Sequence, residues 1–129
     1  MAKKSAPRPT DAELEILNVL WEHGPATVRQ VHDALGHERA TGYTTTLKLM
    51  QIMTDKGLLS RNESQRAHVY QATLPREKTL MELTRDLLDR AFGGSAERLV
   101  MHALRAKKVS PKELDRVRKI LDESERGKK

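Results

Sequence analysis

The 129-residue sequence contains no cysteine. Composition alone therefore excludes disulfides, thiolate zinc sites, cysteine nucleophiles and metal sensing through thiolates. A metal site built without cysteine would need clustered histidines and carboxylates, and the chain brings these close together only at His32, Asp33, His37 and Glu38. Surface polar residues explain that group better than a ligand set does, so we predict no metal and no cofactor.

Aromatic residues are also scarce, with one Trp, two Tyr and one Phe. Trp21 and Tyr70 could in principle stack on nucleic-acid bases. We expect them to pack in the core instead, because each lies in an apolar context. With 37% hydrophobic residues, the chain forms either one compact domain or two small ones, and a second half would borrow its core from a partner.

Long apolar runs are absent, and the basic start leads into an amphipathic helix without a signal-like stretch. We therefore expect a cytoplasmic protein with no membrane binding of its own. The net charge of +6 is uneven: residues 1–74 carry nine Lys or Arg against eight Asp or Glu, and residues 75–129 carry fifteen against ten. If the N-terminal half binds DNA, its cations must be well arranged rather than abundant.

Two capping boxes, Thr10 with Glu13 and Thr27 with Gln30, predict the starts of two helices. The first helix should end near residue 23 and the second at Gly36, and a loop of residues 37–42 should follow. The next segment, residues 43–57, has a helical period with two unlike faces. Its predicted inner side holds Tyr43, Thr46, Leu49, Met50 and Met53, and its outer side holds Thr44, Lys48, Gln51 and Asp55. Ile52 is apolar yet falls near the outer side, so the pattern assigns it to neither. We expect the Thr46 hydroxyl to bond back to a carbonyl one turn earlier.

Residues 58–61 and 67–72 read as two strands, and residues 62–66 read as the tip of the hairpin between them. Three helices followed by a hairpin predict a winged helix-turn-helix. From Pro75 onward the pattern predicts three more helices, the second capped by Ser95 and the third beginning at Ser110. The expected class is mostly α with a small β-hairpin. Its parts are a flexible basic tail (1–9), a winged-helix domain (10–74), a helical dimerisation domain (75–122) and a flexible tail (123–129).

Three segments, in the same order along the chain, resemble the penicillinase repressor family of BlaI- and MecI-type regulators. They are Pro-Thr-Asp-Ala-Glu-Leu-Glu-Ile-Leu-Asn-Val-Leu-Trp at residues 9–21, Gly-Tyr-Thr-Thr-Thr-Leu with Asp-Lys-Gly-Leu-Leu within residues 42–59, and Phe-Gly-Gly with Leu-Val within residues 92–100. The resemblance implies a homodimeric repressor whose two winged helices bind an inverted-repeat DNA operator. It does not imply an enzyme.

The resemblance also implies roles for individual residues. Thr44, Thr45 and Lys48 would read bases from the start of a recognition helix, Gln51 would reach a phosphate, and Arg61 and Arg66 would bring the hairpin to the DNA backbone. The apolar positions expected to join two copies are Leu80, Leu83, Leu87, Phe92, Leu99, Val100, Leu104, Leu114, Val117 and Leu121.

Two modes of induction in the family bear on this sequence. Antibiotic-responsive members are cut between Asn and Phe by a membrane-bound sensor metalloprotease, and the matching pair here is His102-Ala103. We therefore do not expect the same cleavage specificity, although a protease with another preference could cut this helix. The copper-sensing branch uses paired cysteines, so that mode is excluded.

A rival interpretation is a winged helix that binds protein rather than DNA, since one fold can serve both functions. The barely positive charge of residues 1–74 favours the rival, whereas the threonines on the outer side of residues 43–57 argue against it.

Overall fold

The computed structural model describes residues 8–36 and 42–127. Helix α1 (Asp11–His23) begins where predicted because Thr10 and Glu13 form a complete capping box. The Thr10 hydroxyl accepts the Glu13 N–H at 3.2 Å, and the Glu13 carboxylate accepts the Thr10 N–H at 3.0 Å. The helix ends at Gly24, whose φ of 86° is a conformation that other residues rarely adopt.

Helix α2 (Val28–Leu35) has the second predicted capping box, formed by Thr27 and Gln30, and ends at Gly36. Of the loop expected at residues 37–42, only Gly42 is among the described residues, and it is the N-cap of helix α3 (Tyr43–Asp55). The predicted order of three helices in the first half is confirmed.

Strands β1 (Leu59–Asn62) and β2 (Val69–Ala72) form an antiparallel hairpin in which Leu59 lies opposite Ala72. Both strands begin later than predicted. Leu58 instead closes the end of α3, since its N–H donates to the Met53 carbonyl at 2.9 Å. The tip therefore spans residues 63–68.

Tyr70 ties the hairpin to the segment between α1 and α2. It exchanges two backbone hydrogen bonds with Ala26, of 2.8 and 3.0 Å, which form an isolated antiparallel bridge beside β2. The Tyr70 side chain is buried in the core, as predicted. The hairpin is thus fixed to the helices at its base, and its tip is exposed.

The core lies among α1, α2, α3 and the base of the hairpin. Its buried members are Ile16, Leu17, Leu20, Ala26, Val28, Val31, Met50, Met53, Leu58, Leu59 and Tyr70. Trp21 packs against this cluster but is only partly buried, and its indole N–H donates to the Leu74 carbonyl at 3.0 Å.

The chain divides into two compact units, one ending at Leu83 and one starting at Thr84. The division falls within helix α4 (Arg76–Ala91), whose Thr79 is buried and whose Arg76 guanidinium lies 5.6 Å from the centre of the Trp21 ring. The start of α4 thus belongs to the first unit. The functional boundary at residue 74 stays a prediction.

The second unit contains the end of α4 and helices α5 (Ala96–Ala106) and α6 (Pro111–Gly127). Ser95 and Ser110 cap α5 and α6 through their hydroxyls, as the sequence indicates. Residues 123–127, which we expected in a flexible tail, continue α6 as helix. Among residues 84–127 no side chain is fully buried. Residues 1–7 of the predicted N-terminal tail lie outside the described part of the chain, and so do residues 128 and 129.

Candidate nucleic-acid interface

Helix α3 presents one polar, exposed side. Thr44, Thr45, Lys48 and Gln51 are all exposed, and none of their side chains forms a hydrogen bond or ion pair with another described residue. Ile52, which the sequence did not place, is 40% exposed and adds an apolar group to this part of the helix. Because these hydroxyl, ammonium and amide groups have no partner among the described side chains, they are available for external hydrogen bonds.

The opposite side of α3 is held in the core. Thr46, Met50 and Met53 are buried there, as the helical period predicted, and Leu49 is partly buried. The predicted back-bond of Thr46 is wrong: its hydroxyl lies 3.0 Å from Nδ1 of His32 on α2. That contact joins two helices, and the back-bond geometry occurs instead at Thr54, whose hydroxyl donates to the Met50 carbonyl at 2.8 Å.

Tyr43 departs from the predicted inner side, since it is 37% exposed. It occupies the first turn of α3, where its ring lies against α2 rather than over the core. The His32 ring meets it edge-on at 5.9 Å between centroids, and the Arg29 guanidinium lies 4.5 Å from its centroid. Tyr43 thus helps to seat the start of α3 on α2.

The end of α3 is fixed by an ion pair. Lys56, its C-cap, donates to both carboxylate oxygens of Glu13, at 2.8 and 3.0 Å. Burial raises the pKa of Glu13, but the bonds and charge from Lys56 and the bonds from Thr10 outweigh it, so the net pKa lies below its ordinary value. Since Glu13 belongs to the first turn of α1, this pair joins the end of α3 to the start of α1.

The hairpin brings two predicted arginines to the same unit in different settings. Arg61 Nε donates to Glu63 at 2.7 Å, and hydrogen bonds to Tyr70 and Glu63 raise the pKa of Arg61 above its ordinary value. Arg66, at the tip, is exposed and has no hydrogen bond or ion pair with another described residue. Of the two guanidinium groups, that of Arg66 is the more available to a ligand.

A groove lies between the hairpin and the starts of α2 and α3. We call it the α2–hairpin groove. It is lined by Thr27, Val28, Arg29, Tyr43, Leu47, Arg66, Ala67, His68 and Tyr70. The sequence predicted a role for Arg66 but gave no reason to group it with Arg29 and His68, because no periodic pattern links a residue on α2 to one at a hairpin tip.

Of the four residues weighed and rejected as metal ligands, two lie among the described residues and two do not. The His32 ring bonds to the Thr46 hydroxyl, and Asp33 is exposed. Residues 37 and 38 lie outside the described part of the chain. Within residues 8–36 and 42–127, no three His, Asp or Glu side chains could hold a metal ion. No helix in these ranges is long and apolar enough to cross a membrane.

The residues predicted to join two copies lie along α4, α5 and α6. Leu80, Leu87, Val100 and Leu121 are between 38% and 56% exposed. The remaining predicted positions are partly buried: Leu83, Phe92, Leu99, Leu104, Leu114 and Val117. Apolar side chains are thus left incompletely covered along all three helices.

His102 and Ala103, the pair that matches the family's cleavage position, are exposed on α5. The His102 ring lies 5.4 Å from that of Phe92. The bond between His102 and Ala103 is inside a continuous helix, so a protease could reach it in an extended form only after local unwinding of α5.

Comparison with known proteins agrees with this geometry. A model of the penicillinase repressor family matches residues 9–123. The transcriptional regulator BlaI of Mycobacterium tuberculosis is 34% identical over 119 residues, which cover 91% of this chain and 85% of that protein. The penicillinase repressor of Bacillus licheniformis is 25% identical over 126 residues, or 98% of each chain.

A solved structure, the DNA-binding domain of the repressor BlaI, superposes with a TM-score of 0.50 at 26% identity. It covers 57% of this chain and 90% of that domain, so the similarity is confined to about one domain's length. The predicted fold class, mostly helical with a winged helix-turn-helix, is confirmed. On the family match over most of its length, this chain belongs to the penicillinase repressor family.

Proposed function

We propose that this protein is a transcriptional repressor that binds an inverted-repeat DNA operator as a homodimer. The observation that carries the proposal is the exposed, unpartnered polar side of α3, held in place by a buried opposite side. The similarity to a DNA-binding domain supports the same function. A DNA-facing helix needs both properties, because its side chains must be free and its axis must be fixed.

In this proposal, α3 lies in the major groove with its first turns nearest the bases. Thr44 and Thr45 offer hydroxyl groups to base edges, and Lys48 offers a cation that can reach the acceptors of guanine. Gln51, one turn further, contacts a phosphate. Arg61 and Arg66 approach the backbone from the hairpin, which positions the domain without reading sequence.

The homodimer is supported by the second unit. Three helices with apolar side chains and no fully buried residue in 84–127 lack a core of their own. A second copy of the same helices would cover those side chains, and closed twofold pairs are the commonest assemblies of identical chains. Twofold symmetry of the protein predicts twofold symmetry in the operator.

Proteolytic inactivation within α5, by a membrane-bound sensor metalloprotease, is a route of induction that the sequence leaves open without predicting it. The exposure of His102 and Ala103 supports access, and their helical backbone opposes rapid cleavage. Cleavage there would separate part of the second unit from the first and weaken the dimer.

The experiment that tests the function is recovery of fragments from sheared genomic DNA by the purified full chain. We expect enrichment of an inverted repeat whose half-sites are spaced by one or more helical turns, about 10 bp each. If no sequence is enriched and the protein instead captures a specific protein through α3, the rival function as a protein-interaction module is correct.

A further inference from the structure

The α2–hairpin groove collects basic side chains from two separate elements. Arg29 comes from α2, and Arg66 and His68 come from the tip of the hairpin. None of the described residues that line the groove is acidic. The other lining groups are threonine, tyrosine and apolar side chains, so the described lining offers cationic donors and supplies no carboxylate to neutralise them.

Arg29 is held in a defined position. Its guanidinium lies 4.5 Å from the centre of the Tyr43 ring, within the range of a cation–π contact. A guanidinium placed over an aromatic face keeps its N–H edges free for hydrogen bonds to an oxyanion. Arg29 has no ion pair with another described residue, so none of these residues neutralises its charge.

Arg61 provides the contrast. It is also exposed, but its Nε already donates to the Glu63 carboxylate at 2.7 Å. An anion that approached Arg61 would compete with the Glu63 carboxylate, whereas an anion in the groove would meet Arg29 and Arg66 without such competition. The structure therefore favours the groove over β1 as the stronger anion-binding position on this side of the domain.

We propose that the α2–hairpin groove binds a backbone phosphate of DNA, with Arg29 as a ligand alongside Arg66 and His68. This inference rests on the proposed DNA-binding function and adds a contact from α2. Tyr43, whose ring lies beneath the Arg29 guanidinium, directly precedes Thr44 and Thr45 in the chain. A phosphate held at Arg29 therefore fixes the distance between the DNA backbone and the first base-facing residues of α3.

The test uses the full chain and two duplexes: one carries the inverted repeat recovered from genomic DNA, and the other has the same composition in scrambled order. Binding is measured by fluorescence anisotropy at several salt concentrations for wild type, Arg29→Gln, Arg29→Lys and Arg66→Gln. Arg116→Gln is the matched control. Arg116 is an exposed arginine on α6, so its substitution removes the same charge from the second unit. Circular dichroism confirms the fold of each variant.

We expect Arg29→Gln to weaken binding to both duplexes. For each protomer bound, the ratio of wild-type to variant affinity should grow about eightfold when the salt concentration falls tenfold. This is the change expected for one lost phosphate contact. Arg29→Lys should keep the salt slope, and Arg116→Gln should match wild type. A further variant, Tyr43→Leu, removes the ring but keeps the charge, so it should weaken binding at an unchanged slope.

Three results would overturn the inference, and only one of them touches the proposed function. If Arg29→Gln keeps the wild-type slope while Arg66→Gln lowers it, the groove does not use Arg29. If Arg29→Gln alters the preference between duplexes at constant slope, Arg29 reads a base instead. If wild type binds neither duplex, the proposed function itself is wrong.

Discussion

The ion pair between Glu13 and Lys56 predicts an unequal response to removing its two partners. The Glu13 side chain is 3% exposed, whereas that of Lys56 is 29% exposed. Lys56→Met leaves a carboxylate in the interior without its cation. Glu13→Gln leaves an ammonium group that can turn toward water, and the glutamine oxygen can still accept the Thr10 N–H. We therefore expect the lysine substitution to be the more damaging one.

The magnitudes follow from the same geometry. An unpaired buried charge costs about 3 kcal/mol, at the low end of the usual range because Thr10 still donates to the carboxylate. Loss of the glutamate charge opposite a partly exposed lysine should cost about 1 kcal/mol. Against a total stability of roughly 5–15 kcal/mol, the difference between the two variants is easily measured.

Urea unfolding at fixed protein concentration, followed by circular dichroism, gives the two free energies. The double variant Lys56→Met with Glu13→Gln should recover part of the loss, because it removes the unpaired carboxylate. If Glu13→Gln destabilises the protein as much as Lys56→Met does, burial of the carboxylate is not what makes the pair important.

Three further predictions concern binding, assembly and pH. Lys48→Ala should weaken binding to the recovered operator and leave the dimer intact in sedimentation, because Lys48 supplies a cation on the outer side of α3; unchanged affinity at fixed salt would contradict its role. Truncation after Leu83 should give a monomer that binds half-sites weakly, since two linked domains gain affinity from effective concentration; a truncated dimer would place the assembly surface in the first unit. Because the folded state holds the pKa of Glu13 below its ordinary value of 4.5, its contribution to stability is present above that pH and is lost as pH falls through the lowered pKa. Glu13→Gln should therefore reduce the fall in the free energy of unfolding at acid pH, as measured by urea unfolding. If the fall is unchanged, other carboxylates control it.

Local patterns predicted much of the first unit correctly. The two capping boxes located α1 and α2 because their hydrogen bonds are between residues three apart, which a sequence shows directly. The helical period likewise separated the buried Met50 and Met53 from the exposed Lys48. These features depend on spacing along one element.

Contacts between elements were not predictable in the same way. The bond from His32 to Thr46, the ion pair from Lys56 to Glu13 and the contact of Arg29 with Tyr43 each join different helices. Their partners are 14 or more residues apart, and nothing in the local pattern specifies them. The Tyr43 error has the same origin, since a residue in the first turn of a helix can extend beyond the core that its period points to.

The placement of the methionines gives helix α3 a different sensitivity to oxidants from that of helices α4 and α5. Met50 and Met53, which hold α3 in place, have no solvent-exposed surface, whereas Met81 on α4 and Met101 on α5 are 53% and 36% exposed. Conversion of a thioether to a sulfoxide makes an apolar side chain polar and disrupts apolar contacts. Among the described methionines, peroxide would therefore react first with those on α4 and α5, two of the helices expected to pair two copies, and last with those that hold α3 in place.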